Sequence, residues 1–247
     1  MTFQYLVDRF RSARTDPSLA VLEGFHPLKH AIRFGAELIE VVCLGSEELV
    51  HLAADYAPDI ASRFNKHVTE VPAEVFQRLA PVPPPTGVIA IAQRPSFSLI
   101  EVMNNPGPAP VVLLENPRNL LNIGAAVRVA AAAGAAGLIT TGAQDPWHPA
   151  ALIAATGLQY ALPVTRTAKL PTSDRSLVVI DPSGEPLGQG SLPARAILAF
   201  GADRDGISRE LTASADYCVS IPMSAGVSSL NLATAVAVVL YTWRLGQ

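Results

Sequence analysis

Apolar residues fall along this chain in short blocks set apart by polar residues, glycine and proline. Residues 38–44 (LIEVVCL) form a run of strand length. Helical spans flank it. One covers 27–35, with Pro27 in its first turn and Gly35 at its end, and another covers 47–56. The stretch 12–22 leads into Glu23-Gly24-Phe25. Residues 66–71 read as a short strand, 72–79 as a helix, and 88–92 as a strand that follows the Pro81–Pro85 cluster. The second half repeats the alternation more strongly. Strand-type runs lie at 111–114, 138–141, 177–180 and 196–200. An Ala-rich helix over 123–133 is entered through Asn122 and left at Gly134, and a last helix covers 230–245. Strands alternating with helices predict an α/β fold with a mostly parallel sheet covered on both faces.

The stretch Asn-Asn-Pro-Gly-Pro-Ala-Pro at 104–110 resists both helix and sheet, so it reads as a linker between domains at 1–103 and 111–247. With 49% hydrophobic and 16% charged residues, a disordered chain is excluded. A mean hydropathy of +0.30 points to apolar surface that an oligomer would cover. The net charge is 18 − 21 = −3, which excludes nucleic-acid binding by bulk charge. Residues 1–105 carry nine Lys+Arg against twelve Asp+Glu, and 106–247 carry nine of each. Any RNA contact is therefore a local patch.

The opening residues hold Asp8, Arg9, Arg11 and Arg14, so no signal peptide is expected. The most apolar stretch, 230–241, is short for a membrane span and contains Asn231 and Thr234. Cys43 and Cys218 lack metal-ligand spacing, and neither a disulfide framework nor a metal site is expected. A cytoplasmic protein is the expectation.

Three segments carry candidate chemistry. The first is Asn116-Pro-Arg-Asn-Leu-Leu-Asn122-Ile-Gly124 with Arg128 beyond, where a strand passes into a helix. Ligands of open α/β sheets bind at such edges. Asn119 reads as a turn or cap residue. Asn122 could cap the helix, whereas Arg128, inside an Ala/Val helix, should face something that needs a charge. The second is Phe200-Gly201-Ala202-Asp203-Arg204-Asp205-Gly206-Ile207-Ser208 after a strand, where Gly201 and Gly206 permit close backbone approach. The third is Ile221-Pro222-Met223, then Ser228-Ser229-Leu230-Asn231 opening the last helix. Ser228 and Ser229 could serve there either as caps or at a polar ligand. No dinucleotide fingerprint, phosphate-binding P-loop or serine nucleophile elbow occurs.

In this order, Asn-x-Gly-x-x-x-Arg (122–128), Gly-Ala-Asp-x-x-Gly (201–206) and Ile-Pro-Met…Ser-Leu-Asn (221–231) resemble the SpoU/TrmH family of RNA 2′-O-ribose methyltransferases. The first half resembles that family's small ribosomal-protein-like substrate-binding domain, through Val21–His26 and Thr86–Ala90. The resemblance implies a C-terminal α/β SPOUT methyltransferase domain with a deep trefoil knot. It also implies a homodimer joined through that domain, S-adenosyl-L-methionine as cofactor, and RNA as substrate. It assigns Gly201, Ile221, Ser229 and Leu230 to the cofactor, and Arg128, Asn122 and Asn231 to catalysis. Asp203 stands where the family usually has Glu, and Ala202 where it often has Asn.

The ribose hydroxyl must lose its proton as it attacks, and the sequence offers no placed base. The family view has the Arg activate the hydroxyl. A guanidinium holds its protons tightly, so clamping of a phosphate and stabilisation of developing alkoxide charge suit Arg128 better. For RNA contact in the first half, Lys29, His30 and Arg33 lie on a helix after His26 and could bind phosphates, or form only a solvated face. Arg9, Arg11 and Arg14 form a second basic cluster. His26 and His30 have the spacing of a metal pair without a third ligand. Large-subunit ribosomal RNA is the expected substrate, since the extra domain resembles that of family members acting there. The alternatives are a tRNA 2′-O-methyltransferase, a catalytically decayed RNA-binding protein, and a small-molecule α/β enzyme.

Overall fold

The structure is a computed structural model that describes residues 3–64, 68–188, 190, 192–202 and 206–246. It divides into two compact units. The first is Met1–Ser96 together with Trp147–Ala161, and the second is Phe97–Pro146 with Leu162–Gln247.

The first unit runs α1 (Gln4–Ala13), β1 (Leu19–Glu23), α2 (Phe25–Arg33), β2 (Leu38–Cys43), α3 (Ser46–Tyr56), β3 (Val68–Glu70), α4 (Ala73–Phe76) and β4 (Val88–Gln93). Its sheet has the order β1-β4-β2-β3, with β4 antiparallel to both neighbours and β2 parallel to β3. Helix α1 buries Leu6, Val7, Phe10 and Ala13, one face at helical spacing. That face packs in a core with Phe76, Leu79, Ile89 and Ile91. Gly24 turns the chain from β1 into α2 at φ 103°, a conformation L-residues avoid. The Phe25 N–H donates to Thr86 Oγ1 (2.9 Å), and β1 pairs with β4. The stretches 21–26 and 86–90 thus form one strand pair and its turn.

Helix α2 begins at Phe25, two residues before Pro27, because Gly24 and not the proline breaks the strand. Helix α4 is a single turn, shorter than the predicted 72–79. Of the strand predicted over 66–71, residues 66 and 67 lie outside the described residues. Arg9, Arg11 and Arg14 do not form a free basic patch. Arg9 pairs with Glu40 (3.0 Å), Arg11 with Asp8 (3.7 Å) and Arg14 with Glu23 (2.5 Å).

The second unit starts with α5 (Leu99–Asn104), then β5 (Val111–Leu114), α6 (Leu120–Ala133) and β6 (Gly137–Thr140). The chain next contributes α7 (Pro149–Ala154) and a 3₁₀ turn at Leu158–Tyr160 to the first unit. It returns as β7 (Val164–Arg166), β8 (Leu177–Pro186), β9 (Ile197–Phe200), α8 (Arg209–Ala213), β10 (Tyr217–Ser220) and α9 (Leu232–Leu245). The six strands are all parallel, in the order β10-β8-β9-β5-β6-β7. Every residue of β5, β6 and β9 is buried, as a sheet covered on both faces requires. The α/β reading with a parallel sheet holds. Among the described residues, no helix is long and apolar enough to cross a membrane.

The units do not divide at 103/104. Val102 and Met103, expected in the first domain, are buried in the core of the second with Val111, Leu113 and Ile139. Nor does 104–110 hang free. The buried Arg175 guanidinium donates to the carbonyls of Met103 (2.8 Å), Asn105 (3.0 Å) and Ala109 (2.9 Å). Proline and glycine prevent regular structure there, but they leave carbonyls that a buried cation can collect. The second departure is the segment 147–161. Its Thr156 carbonyl accepts from His30 Nδ1 (2.6 Å), and the Tyr160 hydroxyl donates to the Gln93 carbonyl (3.2 Å). Gly157, at φ 77°, lies so close that a Cβ there would sit 2.4 Å from the Pro27 oxygen. A sequence boundary assumes contiguous domains, and this segment is not contiguous with its unit.

Candidate active site

Strands β5, β6 and β7 proceed toward one edge of the sheet, while β9, β8 and β10 lie on the other side of β5. The order therefore reverses between β5 and β9, the place where open α/β sheets form a ligand crevice at their carboxyl ends. All three motif segments follow strands at that edge: 116–128 after β5, 201–206 after β9, and 221–231 after β10.

A cavity of about 400 Å³ opens at the carboxyl ends of β8, β9 and β10, within the size range of small-molecule and cofactor pockets. Gly201, Ile221, Ser229 and Leu230, the four residues expected at a cofactor, all line it. Ala202, Gly206 and Ile207 complete the side after β9, and Leu232 and Ala235 of α9 close another. Ile180, Asp181 and Pro182 also line the cavity and were not singled out from sequence. They bulge out where the β8–β10 register jumps, from Cys218 opposite Val179 to Val219 opposite Glu185. The signal was present as a strand ending in Asp-Pro-Ser-Gly. Asp181 is the only charged side chain among the described lining residues, and its Oδ1 accepts from the Ser183 N–H (2.9 Å) and hydroxyl (2.6 Å). Aliphatic side chains from several strand ends give the cavity walls suited to a flat ring. The serines and Asp181 supply polar groups for a ligand with hydroxyl, ammonium and carboxylate ends.

The neck of the loop after β9 is tight. A Cβ on Gly201 would lie 2.1 Å from the Gly206 carbonyl carbon, so no larger residue fits without moving backbone. The Gly206 N–H donates to the Ala202 carbonyl (3.1 Å) and closes the loop on itself. Asp203, the departure from the family pattern, lies outside the described residues.

Of the three expected catalytic residues, two meet. Asn231 Nδ2 donates to Asn122 Oδ1 (3.0 Å), while Asn231 Oδ1 accepts from the Ala233 N–H (3.0 Å) as the N-cap of α9. Helix α9 consequently starts at Leu232 rather than 230, and Ser228 and Ser229 are left for the cavity. The cap of α6 is Asn119, whose Oδ1 accepts from the Leu121 and Asn122 N–H groups (2.8 and 3.3 Å). Asn122 is thereby inside the helix with its side chain committed elsewhere.

Arg128 does not face inward. It is exposed on α6, seven residues from exposed Leu121 and so on the same stripe. No hydrogen bond or ion pair ties it to another described residue. The buried face of α6 belongs to Ile123, Ala126, Val127 and Ala130.

The face expected to bind RNA is largely committed within the first unit. Arg33 makes a two-pronged pair with Asp59 (2.8 and 2.6 Å). His30 is tied to the Thr156 carbonyl, and burial lowers its pKa against the raising effect of that bond. Lys29 is half-buried, with its pKa lowered by burial first and by Arg33 next. Helical spacing showed that these residues share a face, but the chain segments that dock on that face were not visible from the spacing. Among the described residues no cluster of His, Cys, Asp and Glu could hold a metal.

Residues 109–241 match the SpoU rRNA Methylase family. A 23S rRNA (adenosine(1067)-2′-O)-methyltransferase of Streptomyces laurentii is 28% identical, over 96% of this chain and 90% of its own. A 23S rRNA (guanosine-2′-O-)-methyltransferase of Bordetella pertussis is 29% identical, over 91% of this chain and 96% of its own. The SpoU methyltransferase AviRb from Streptomyces viridochromogenes, solved in complex with AdoMet, shares the fold. Its TM-score is 0.79 over 98% of this chain and 96% of its own, at 24% identity. With the family match spanning more than half its length and its three motif segments gathered at one sheet edge, this chain belongs to the SpoU rRNA methylase family.

Proposed function

We propose that this protein methylates a ribose 2′-hydroxyl of large-subunit ribosomal RNA in the cytoplasm, with S-adenosylmethionine as methyl donor. The observation that carries the reading is the convergence of Gly201, Ile221, Ser229 and Leu230 on one cavity at the carboxyl edge of the parallel sheet. The named functions of the full-length relatives favour ribosomal RNA over tRNA. We further infer the family's deep trefoil knot in the second unit and a substrate-binding role for the first.

Bound in this cavity, S-adenosylmethionine supplies an electrophilic methyl group. The residues of the chain do the rest. Ile221 and Leu230 hold the donor by backbone and apolar contact, with Gly201 keeping the opposite wall close. Asn231 fixes Asn122, and together they orient the ribose. Arg128, open to solvent, clamps a phosphate beside the target ribose and stabilises negative charge developing on O2′. The proton leaves to phosphate or water, because a guanidinium is a poor base.

Homodimerisation through the second unit has support in the surface of α9. Val238, Tyr241 and Leu245 are 36%, 41% and 75% exposed and fall on one helical stripe.

The deciding experiment combines the purified protein, radiolabelled S-adenosylmethionine, and ribosomal RNA and tRNA from cells lacking the gene. Label at a ribose of large-subunit RNA is expected. Label only in tRNA favours the alternative substrate. Tight RNA binding with no transfer on any RNA identifies a decayed enzyme.

A further inference from the structure

Glu115 is the first residue beyond β5, outside the three motifs as matched above, and it grips both ends of the loop after β9. At the entry, its N–H donates to the Phe200 carbonyl (2.8 Å). At the exit, its carboxylate takes two bonds from Ser208, one from the N–H (2.7 Å) and one from the hydroxyl (2.6 Å). Between these anchors lie Gly201, Ala202, Gly206 and Ile207, all lining the cavity. The loop's neck is closed by the Ala202–Gly206 bridge. That bridge joins Ala202 to Gly206, so their shared base decides where this side of the cavity stands.

We propose that Glu115, acting through Ser208, is a positioning residue for cofactor binding. The clamp sets the distance of the wall made by Gly201, Ala202, Gly206 and Ile207 from Ile221 and Leu230. A carboxylate that accepts two bonds from one residue fixes direction as well as distance. Ser208 also caps α8 by accepting from the Leu211 N–H (3.2 Å), so the clamp ties the loop to the helix that follows. The proposal rests on the reading of this cavity as the S-adenosylmethionine site.

The test is calorimetric titration of the full chain with S-adenosylhomocysteine. Variants are Glu115→Gln, Ser208→Ala, the double variant, Ser208→Thr and Ser208→Asp. Glu115→Gln turns an amide donor toward one of the Ser208 donors. Loss of such a bond should weaken binding by about three- to tenfold. Ser208→Ala should do the same, and the double variant should be no worse than either single one. Ser208→Thr retains hydroxyl and cap and should restore affinity. Ser208→Asp retains a cap acceptor but carries no donor and sets a second carboxylate against Glu115, and should bind at least as weakly as Ser208→Ala. At saturating cofactor, kcat should stay near wild type, since the reacting groups are untouched.

Wild-type affinity in Glu115→Gln, additive losses in the double variant, or full affinity in Ser208→Asp overturns the proposal. If Glu115→Gln fails to fold, the contrast between Ser208→Asp and Ser208→Thr carries the same decision. A wild-type chain that binds no S-adenosylhomocysteine overturns the reading of the cavity, and this proposal with it.

Discussion

Asn231 donates to Asn122 across 109 positions of chain, and the same Asn231 amide caps α9 through its oxygen. The cap fixes which way the amide points. With the oxygen on the Ala233 N–H, the nitrogen can only face Asn122. Helix capping and the ordering of a candidate catalytic group are thus one interaction.

This arrangement predicts different outcomes for two substitutions at 231. Asn231→Asp keeps an oxygen for the Ala233 N–H but turns a carboxylate toward the Asn122 oxygen. Its thermal midpoint should stay close to wild type while single-turnover methyl transfer falls by about tenfold or more. Asn231→Ala should lose transfer and also about 1 kcal/mol of stability, the ordinary value of an N-cap. Equal activity in Asn231→Asp and wild type would remove the pair from the mechanism.

The commitments of α2 predict which cations RNA can use. Arg33 is already neutralised by Asp59, whereas Lys29 makes no ion pair with another described residue and is only half-buried. Lys29→Ala should lower the slope of log affinity against log salt by about one unit, as expected for one phosphate contact. Arg33→Ala should leave that slope unchanged and cost stability of about 0–1 kcal/mol, since its partner is exposed. A reduced slope for Arg33→Ala would show that RNA displaces Asp59.

The architecture was legible where pattern and punctuation agree. Runs such as Val111–Leu114 and Ile197–Phe200 are apolar throughout because both faces of the sheet are covered, and Gly134 ends α6 in a left-handed conformation (φ 75°). The second and third motifs gave the cavity wall because each follows a parallel strand at the same edge, and the first meets the third through Asn122 and Asn231. The docking of 147–161 against α2 was not legible, since the contacts that hold it, His30 to a backbone carbonyl and Gly157 against Pro27, depend on backbone position rather than residue pattern. Glu115 was missed for a related reason. Its partner Ser208 closes the second segment but is 93 residues away, and no spacing connects the two. Composition did not give the direction of Arg128, which the fold leaves exposed on α6.

The His30–Thr156 bond predicts a pH dependence. Burial lowers the folded-state pKa of His30 below the usual histidine value of about 6.5, with Lys29, Arg33 and His26 adding to the effect against the raising hydrogen bond. The unfolded chain then binds more protons than the folded one between the two pKa values. Stability is therefore full above about pH 6.5 and is lost as pH falls through the folded value. Hydrogen exchange in 150–160 should accelerate on acidification from pH 7.5 to 5.5. In His30→Gln that acceleration should be smaller. Identical pH profiles for the two proteins would exclude His30 as the source.

Arg128 presents the sharpest separation between stability and activity. It is exposed on α6 and makes no hydrogen bond or ion pair with another described residue, so its removal breaks nothing the fold relies on. Arg128→Ala should retain the thermal midpoint and S-adenosylhomocysteine affinity. If the guanidinium stabilises charge developing on O2′, transfer should fall by about 10²–10³, the usual result of deleting a transition-state donor. Arg128→Lys separates charge from shape, because an ammonium cannot form the planar two-pronged grip on a phosphate. Severe loss in Arg128→Lys supports phosphate clamping, and substantial recovery shows that charge alone suffices. Near-normal single-turnover transfer by Arg128→Ala, on the RNA identified by ribose-methylation mapping, would take this residue out of the active site. Asn122 and Asn231 would then have to orient the ribose without a cation.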